Sequence, residues 1–165
     1  MRSLIVFAHN IRSTHNVGAI LRTAEGFGVD TLICSGYTPY PIVPGDTRLP
    51  HIRDRLTATI AKTALGAERL VKCQITDDPT KLIATLKTEG YRIVALEQAP
   101  GSIELPTYQP PDKLVLLLGE EVHGIPDELL ACADEVIEIP MYGRKESFNV
   151  SVAAGIALYH LRTHK

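Results

Sequence analysis

Several signatures that an α/β chain often carries are missing from this sequence. No GxGxxG follows the first apolar run and no GxxxxGK[ST] occurs, which argues against a dinucleotide site and a P-loop. There is no GxSxG, hence no nucleophile elbow. The six histidines lack metal-ligand spacing and none is paired with a cysteine cluster, so no metal is expected. Cys34, Cys73 and Cys132 are odd in number and too dispersed for a CxxC element, which suits a reducing compartment. Positive charge is not in excess either. Seventeen Lys and Arg face 19 Asp and Glu, a net charge of −2, so no global positive field draws the chain to nucleic acid, and any such site would have to come from local basic clusters. The apolar run Leu4 to Ala8 is too short for a signal core or a membrane span. A cytoplasmic protein with no membrane partner is expected.

What is present is an ordinary globular balance. The chain has 165 residues, 45% hydrophobic and 22% charged, enough for one domain with a core of its own. Leu4 to Ala8 reads as a strand buried on both faces. A polar turn, Asn10 to Gly18, follows it, with Asn16 a plausible cap for an amphipathic helix that ends near Gly26 or Gly28. Thr31 to Cys34 then completes a βαβ unit. From Ser35 to Arg55 the pattern dissolves into a Pro-rich loop carrying Arg48, His51, Arg53 and Arg55, either a solvated surface or an RNA contact. Helix is expected over Leu56 to Leu65 and Pro79 to Lys87, with strands over Arg69 to Cys73 and Arg92 to Leu96. Leu114 to Leu118 is the most apolar strand and belongs at the centre of the sheet. Val136 to Ile139 is the last strand, and a helix follows it with an apolar face of Val150, Ala153, Ala154, Ala157, Leu158 and Leu161. Six strands alternating with helices predict an α/β fold around a mostly parallel sheet. The loops after Leu96, Leu118 and Ile139 are then strand-end loops able to share one crevice.

Three polar clusters stand at element ends. Asn16-x-Gly18-x-x-x-Arg22 lies at the start of the first helix, Gly119-Glu120-Glu121 after the central strand, and Ser147-x-Asn149 at the start of the last helix. Each alone has a plain reading: Arg22 as an exposed helix arginine, the two acids as solvated, Ser147 and Asn149 as helix caps.

Together they form a pattern. Asn16-Val17-Gly18-Ala19-Ile20-Leu21-Arg22, Leu116-Leu117-Leu118-Gly119-Glu120-Glu121-Val122-His123-Gly124-Ile125 and Ile139-Pro140-Met141-Tyr142-Gly143 through Ser147-Phe148-Asn149-Val150-Ser151-Val152-Ala153 occur in that order. They resemble the three motifs of the SpoU/TrmH family, RNA ribose 2′-O-methyltransferases of the SPOUT superfamily, and the likeness covers nearly the whole chain.

The resemblance implies a SPOUT-type domain over residues 1–165 with a deep trefoil knot at its C-terminal end and no separate RNA-binding extension. It implies S-adenosylmethionine as cofactor, a homodimer, and an RNA substrate, tRNA favoured over rRNA. By motif match Arg22 is the catalytic arginine and Asn16 its companion, with Glu121, Ser147 and Asn149 as the polar groups of the other two motifs. Leu96, Gly119, Ile139, Met141, Ser147 and Asn149 fall to the cofactor loops. A non-catalytic RNA-binding module and an unrelated nucleotide-binding α/β protein are the alternative readings. The small residues Ala153, Ala154, Gly155 and Ala157 would admit another helix, from the same subunit or from a partner.

Overall fold

The chain is described here from a computed structural model covering residues 2–164. Strand β1 (Ser3–His9), helix α1 (Thr14–Gly26) and strand β2 (Thr31–Ser35) form the expected opening unit. Helix α2 (Pro50–Ala64), strand β3 (Lys72–Thr76), helix α3 (Pro79–Thr88) and strand β4 (Arg92–Leu96) follow. A two-residue strand β5 (Ile103–Glu104), strand β6 (Lys113–Leu118), a short helix α4 (Asp127–Leu130), strand β7 (Glu135–Glu138) and helix α5 (Val150–Thr163) complete the chain.

The sheet order is β3-β2-β1-β6-β4-β7-β5 and every pairing is parallel. The apolar strand β6 lies at its centre, as its sequence predicts. A parallel sheet must be covered on both faces, and the alternation along β1 shows how. Leu4, Val6 and Ala8 join a core shared with α1, α2 and α5. Ile5 and Phe7 face a second core built with Ile83 and Leu86 of α3 and Leu129 of α4.

Four boundaries depart from the sequence reading. Helix α1 begins at Thr14, so Asn16 and Gly18 are helical, and the cap is Ser13, whose side chain accepts the Asn16 N–H. Apolar periodicity starts only at Val17 and cannot register a polar first turn. Helix α2 begins at Pro50, where proline's missing N–H costs nothing. His51, Arg53 and Arg55 are therefore on a helix, and the loop is shorter. The strand expected over Arg69 to Cys73 starts only at Lys72, as β3, because Ala67–Arg69 forms a single 3₁₀ turn. Strand β3 is a sheet edge rich in polar residues, so hydrophobicity placed it too early. The two-residue β5 leaves too short a trace to read.

Helix α5 returns to pack on α1, with Ala154 and Ala157 fully buried in the shared core. Those small residues thus admit a helix of the same chain. Arg162 fastens the return, donating to the carbonyls of Arg2, Phe27 and Gly28 at 2.7 Å each. Among the described residues no helix is long and apolar enough to cross a membrane.

Candidate active site

In an open parallel sheet, ligand sites form beyond the carboxyl ends of the strands. Here the loops after β4, β6 and β7 meet there in one cleft that opens to solvent. Its apolar wall is Leu96, Leu118, Ile139 and Val150, and its polar wall includes Glu97, Glu120, Glu121 and Glu138. Of the expected cofactor residues, Leu96, Gly119, Ile139 and Ser147 line it, whereas Met141 and Asn149 do not.

The loop after β6 is closed tightly. Glu120 and Gly124 exchange backbone hydrogen bonds at 3.0 Å in each direction. A side chain at position 119 would collide with the Gly124 backbone, so glycine is required there by the close approach of the chain to itself.

Glu97 and Gln98, which no sequence motif singles out, hold the cleft together from the end of β4. The Glu97 carboxylate accepts the Ile125 N–H at 2.9 Å and the Gln98 N–H at 3.0 Å. Gln98 donates its amide to the Glu146 carbonyl at 2.8 Å. One strand end thereby fixes both neighbouring loops. Their only sequence signal was position, directly after a buried strand.

Beside the cleft, one network connects all three sequence motifs. Asn16 donates its side-chain amide to Glu121 Oε1 at 2.8 Å and accepts from the Asn149 amide at 3.2 Å. Glu121 also accepts the backbone N–H groups of Arg12 and Ser13 at 3.2 and 3.4 Å. Burial pushes its carboxyl up, but the hydrogen bonds from Asn16, Arg12 and Ser13 outweigh that and hold it below the ordinary range. Asn149 caps α5 as expected, its Oδ1 accepting the Ser151 N–H at 2.9 Å. Neighbouring Glu120 is held below its ordinary range chiefly by the hydrogen bond with His123 at 2.9 Å.

Arg22 stands apart. It is exposed on the outward face of α1 and does not line the cleft of its own chain. Next to it, Ala19 and Thr23 of α1 and Val152, Gly155, Ile156 and Tyr159 of α5 line a second, shallow groove. Val152, Ile156 and Tyr159 are 50%, 37% and 61% exposed there. Arg48, considered above as an RNA contact, is engaged within its own loop, paired with Asp46 and stacked 3.6 Å above the Tyr40 ring. That pairing is the main cause holding the Asp46 carboxyl down at about 2.

A parallel sheet whose strand-end loops form a ligand cleft defines the class; comparison with known proteins makes it specific. Residues 46–159 match the SpoU rRNA Methylase family, and the chain belongs to that family. It is 32% identical over 164 residues to a tRNA (guanosine(18)-2′-O)-methyltransferase of Aquifex aeolicus, covering 99% of this chain and 71% of that protein. Against the Escherichia coli K12 protein of the same name it is 30% identical, covering 98% of this chain and 64% of that one. Among solved structures, the Aquifex aeolicus TrmH/SpoU tRNA modifying enzyme superimposes with a TM-score of 0.80 at 30% identity, over 98% of this chain and 75% of that one. An AdoMet-bound rRNA methyltransferase from Sinorhizobium meliloti gives 0.82 at 26% identity, over 99% of this chain and 57% of that one. The fold is thus the SPOUT fold of the SpoU/TrmH methyltransferases.

Proposed function

We propose that this chain transfers a methyl group from S-adenosylmethionine to a ribose 2′-hydroxyl of RNA, with tRNA the favoured substrate. The observation that carries the reading is the meeting of three distant motifs around one crevice, cross-linked through Asn16, Glu121 and Asn149. The names of the curated relatives support the same reaction, and several of them act on tRNA.

The cleft suits that donor chemically. Its apolar wall would hold an adenine, and its carboxylates suit a cation. When bound, S-adenosylmethionine supplies an electrophilic methyl group, so the protein need not supply a strong electrophile. The residues have two remaining tasks: alignment, and stabilising the hydroxyl oxygen as it loses its proton. Arg22 fits the second. Its guanidinium stays protonated and cannot act as base, but it can hold an RNA phosphate or the developing alkoxide while the proton passes to a phosphate oxygen or water. Glu121 and Asn16 act as positioning residues, fixing the loop before α1 against the cleft. Asn149 links the first turn of α1 to the start of α5, and Ser147 lines the cleft.

The active unit in this proposal is a homodimer. The groove between α1 and α5 carries exposed apolar side chains, and it adjoins the cleft along α5, where Val150 and Ala153 line the cleft and Val152 and Gly155 the groove. A second copy seated on the groove stands next to Arg22 and to the cleft, which explains an arginine placed outside its own chain's pocket. The knot implied by the resemblance belongs to the same proposal. Its support is the path of the chain from β7, near one edge of the sheet, back to α5 against α1.

Incubation with methyl-labelled S-adenosylmethionine and separate tRNA and rRNA pools, followed by nuclease digestion, tests the reaction. Label is expected on ribose in the tRNA pool. Label on a base, or none in either pool, overturns the proposal.

A further inference from the structure

The carboxyl ends of β1 and β2 are built with unusual care for two surface loops. Only His9, Thr31, Ser35, Thr38 and Glu68 are buried polar residues among those described, and three of them lie here. His9 Nδ1 and Ser35 Oγ share a hydrogen bond of 2.8 Å. The Thr38 hydroxyl accepts the Ile11 N–H at 3.0 Å and donates to the Ala8 carbonyl at 3.1 Å. Asn10 and Gly36 face each other in the left-handed region, at φ 58° and 63°, and the Asn10 side chain accepts the Tyr37 N–H at 3.2 Å. A side chain at position 36 would collide with Asn10. Asparagine tolerates left-handed backbone better than other side-chain-bearing residues, and here its side-chain oxygen is used to hold the facing loop.

What this scaffold presents is two large side chains turned to solvent. Tyr37 is 53% exposed, the side chain of Arg12 is 66% exposed, and the two line an open depression together. Arg12 is only loosely paired, 3.8 Å from a Glu120 carboxylate that His123 already holds at 2.9 Å. The backbone of Arg12 is bonded to Glu121 on the cleft wall, so the depression is rigidly joined to the proposed reaction site.

We propose that Arg12 and Tyr37 form a nucleotide platform for the RNA strand beside the methylated ribose, the Tyr37 ring stacking on a base and the Arg12 guanidinium holding a backbone phosphate. The inference rests on the methyltransferase reading. An aromatic face stacks on any base, and a guanidinium matches a phosphate with two parallel donors. In a chain of net charge −2, a loosely paired arginine beside an exposed ring is the local complement a phosphodiester strand requires. The platform selects single-stranded or flipped-out nucleotides, whose bases are free to stack.

The chain contains no tryptophan, so Tyr37→Trp introduces a single reporter at the platform. Titration with an unfractionated tRNA pool is expected to quench its fluorescence, because base stacking reaches the indole directly. Tyr37→Ala is expected to raise the KM for RNA by about 5- to 100-fold with donor affinity unchanged, and Tyr37→Phe to restore it. Arg12→Ala is expected to lower the slope of log affinity against log salt by about one unit or slightly less. An unquenched Tyr37→Trp, together with a wild-type KM in Tyr37→Ala, overturns the platform. Wild-type protein that methylates ribose while these variants behave as wild type defeats this inference alone; wild type that methylates no RNA defeats the reading on which it rests.

Discussion

Because Glu121 accepts from Asn16 and from two backbone N–H groups, its carboxyl is ionised at neutral pH and is not available as a proton donor. Its folded value is depressed, so its contribution to stability is complete above the ordinary carboxylate value of 4.5 and is lost as pH falls through the folded value. Thermal melts of wild type and Glu121→Gln taken between pH 6 and 3 should therefore diverge most at the upper end and converge in acid. Glu121→Ala leaves the Asn16 amide and two N–H groups without this acceptor and should cost about 1–3 kcal/mol at neutral pH, read as a fall in Tm of several degrees. His9 titrates in the opposite sense to a paired histidine. Burial lowers it below 6.5, so folding resists its protonation, and stability should fall as pH drops below 6.5 until the folded value is reached. A flatter pH dependence of Tm in His9→Gln checks this. At the residue scale the motifs were legible because order and spacing carry them. Glu97, Gln98 and Tyr37 were not, because a hydrogen bond across 28 residues, such as that from Ile125 to Glu97, leaves no local pattern.

At the scale of elements, the crossing of α1 on α2 decides where Asn16 and Arg22 point. A Cβ on Gly18 would collide with the Ile60 carbonyl and the Thr63 hydroxyl, while that hydroxyl donates to the His15 carbonyl at 2.9 Å. Two effects oppose each other in Gly18→Ala. Helix propensity alone favours alanine by about 1 kcal/mol, whereas forcing a methyl against a backbone carbonyl costs about 1–3 kcal/mol. The backbone has no rotamer to yield, so the variant should be less stable in urea melts. Greater stability would mean that the helices separate easily. What approaches Gly18 is the backbone of a neighbouring helix rather than a ligand. Helix interiors and central strands were readable from periodicity. Their polar ends were not, since Thr14 to Asn16 add nothing to a hydrophobic pattern and Pro50 to Arg55 only the single apolar Ile52.

For the whole molecule, the proposal joins two surfaces that the fold sets side by side, the cleft and the α1/α5 groove. Ile156 is exposed in the isolated chain, so Ile156→Asp should leave the fold intact while opposing any apolar contact on the groove. Light scattering at micromolar concentration should give a dimeric mass for wild type and a monomeric one for the variant, with methyl transfer lost together with the dimer. A monomeric wild type, or an active monomer, contradicts the assembly. The parallel sheet with its central β6 was legible because buried parallel strands read as continuous apolar runs. The return of α5 was not, because Ala154 and Ala157 are equally suited to a neighbour from either subunit until the packing is seen.

In the proposed enzyme, donor binding and methyl transfer reside in separate places, the strand-end cleft and Arg22 on α1. Calorimetric titration of Arg22→Ala with S-adenosylmethionine, run beside single-turnover methylation of tRNA, tests it most directly. The donor Kd should be unchanged, with transfer reduced by roughly two to three decades, the scale of about 3–4 kcal/mol for a lost oxyanion contact. Arg22→Lys should recover only part of the activity, since a point charge does not reproduce a two-pronged guanidinium contact. Donor binding lost in proportion to activity, or transfer at the wild-type rate, would contradict this separation.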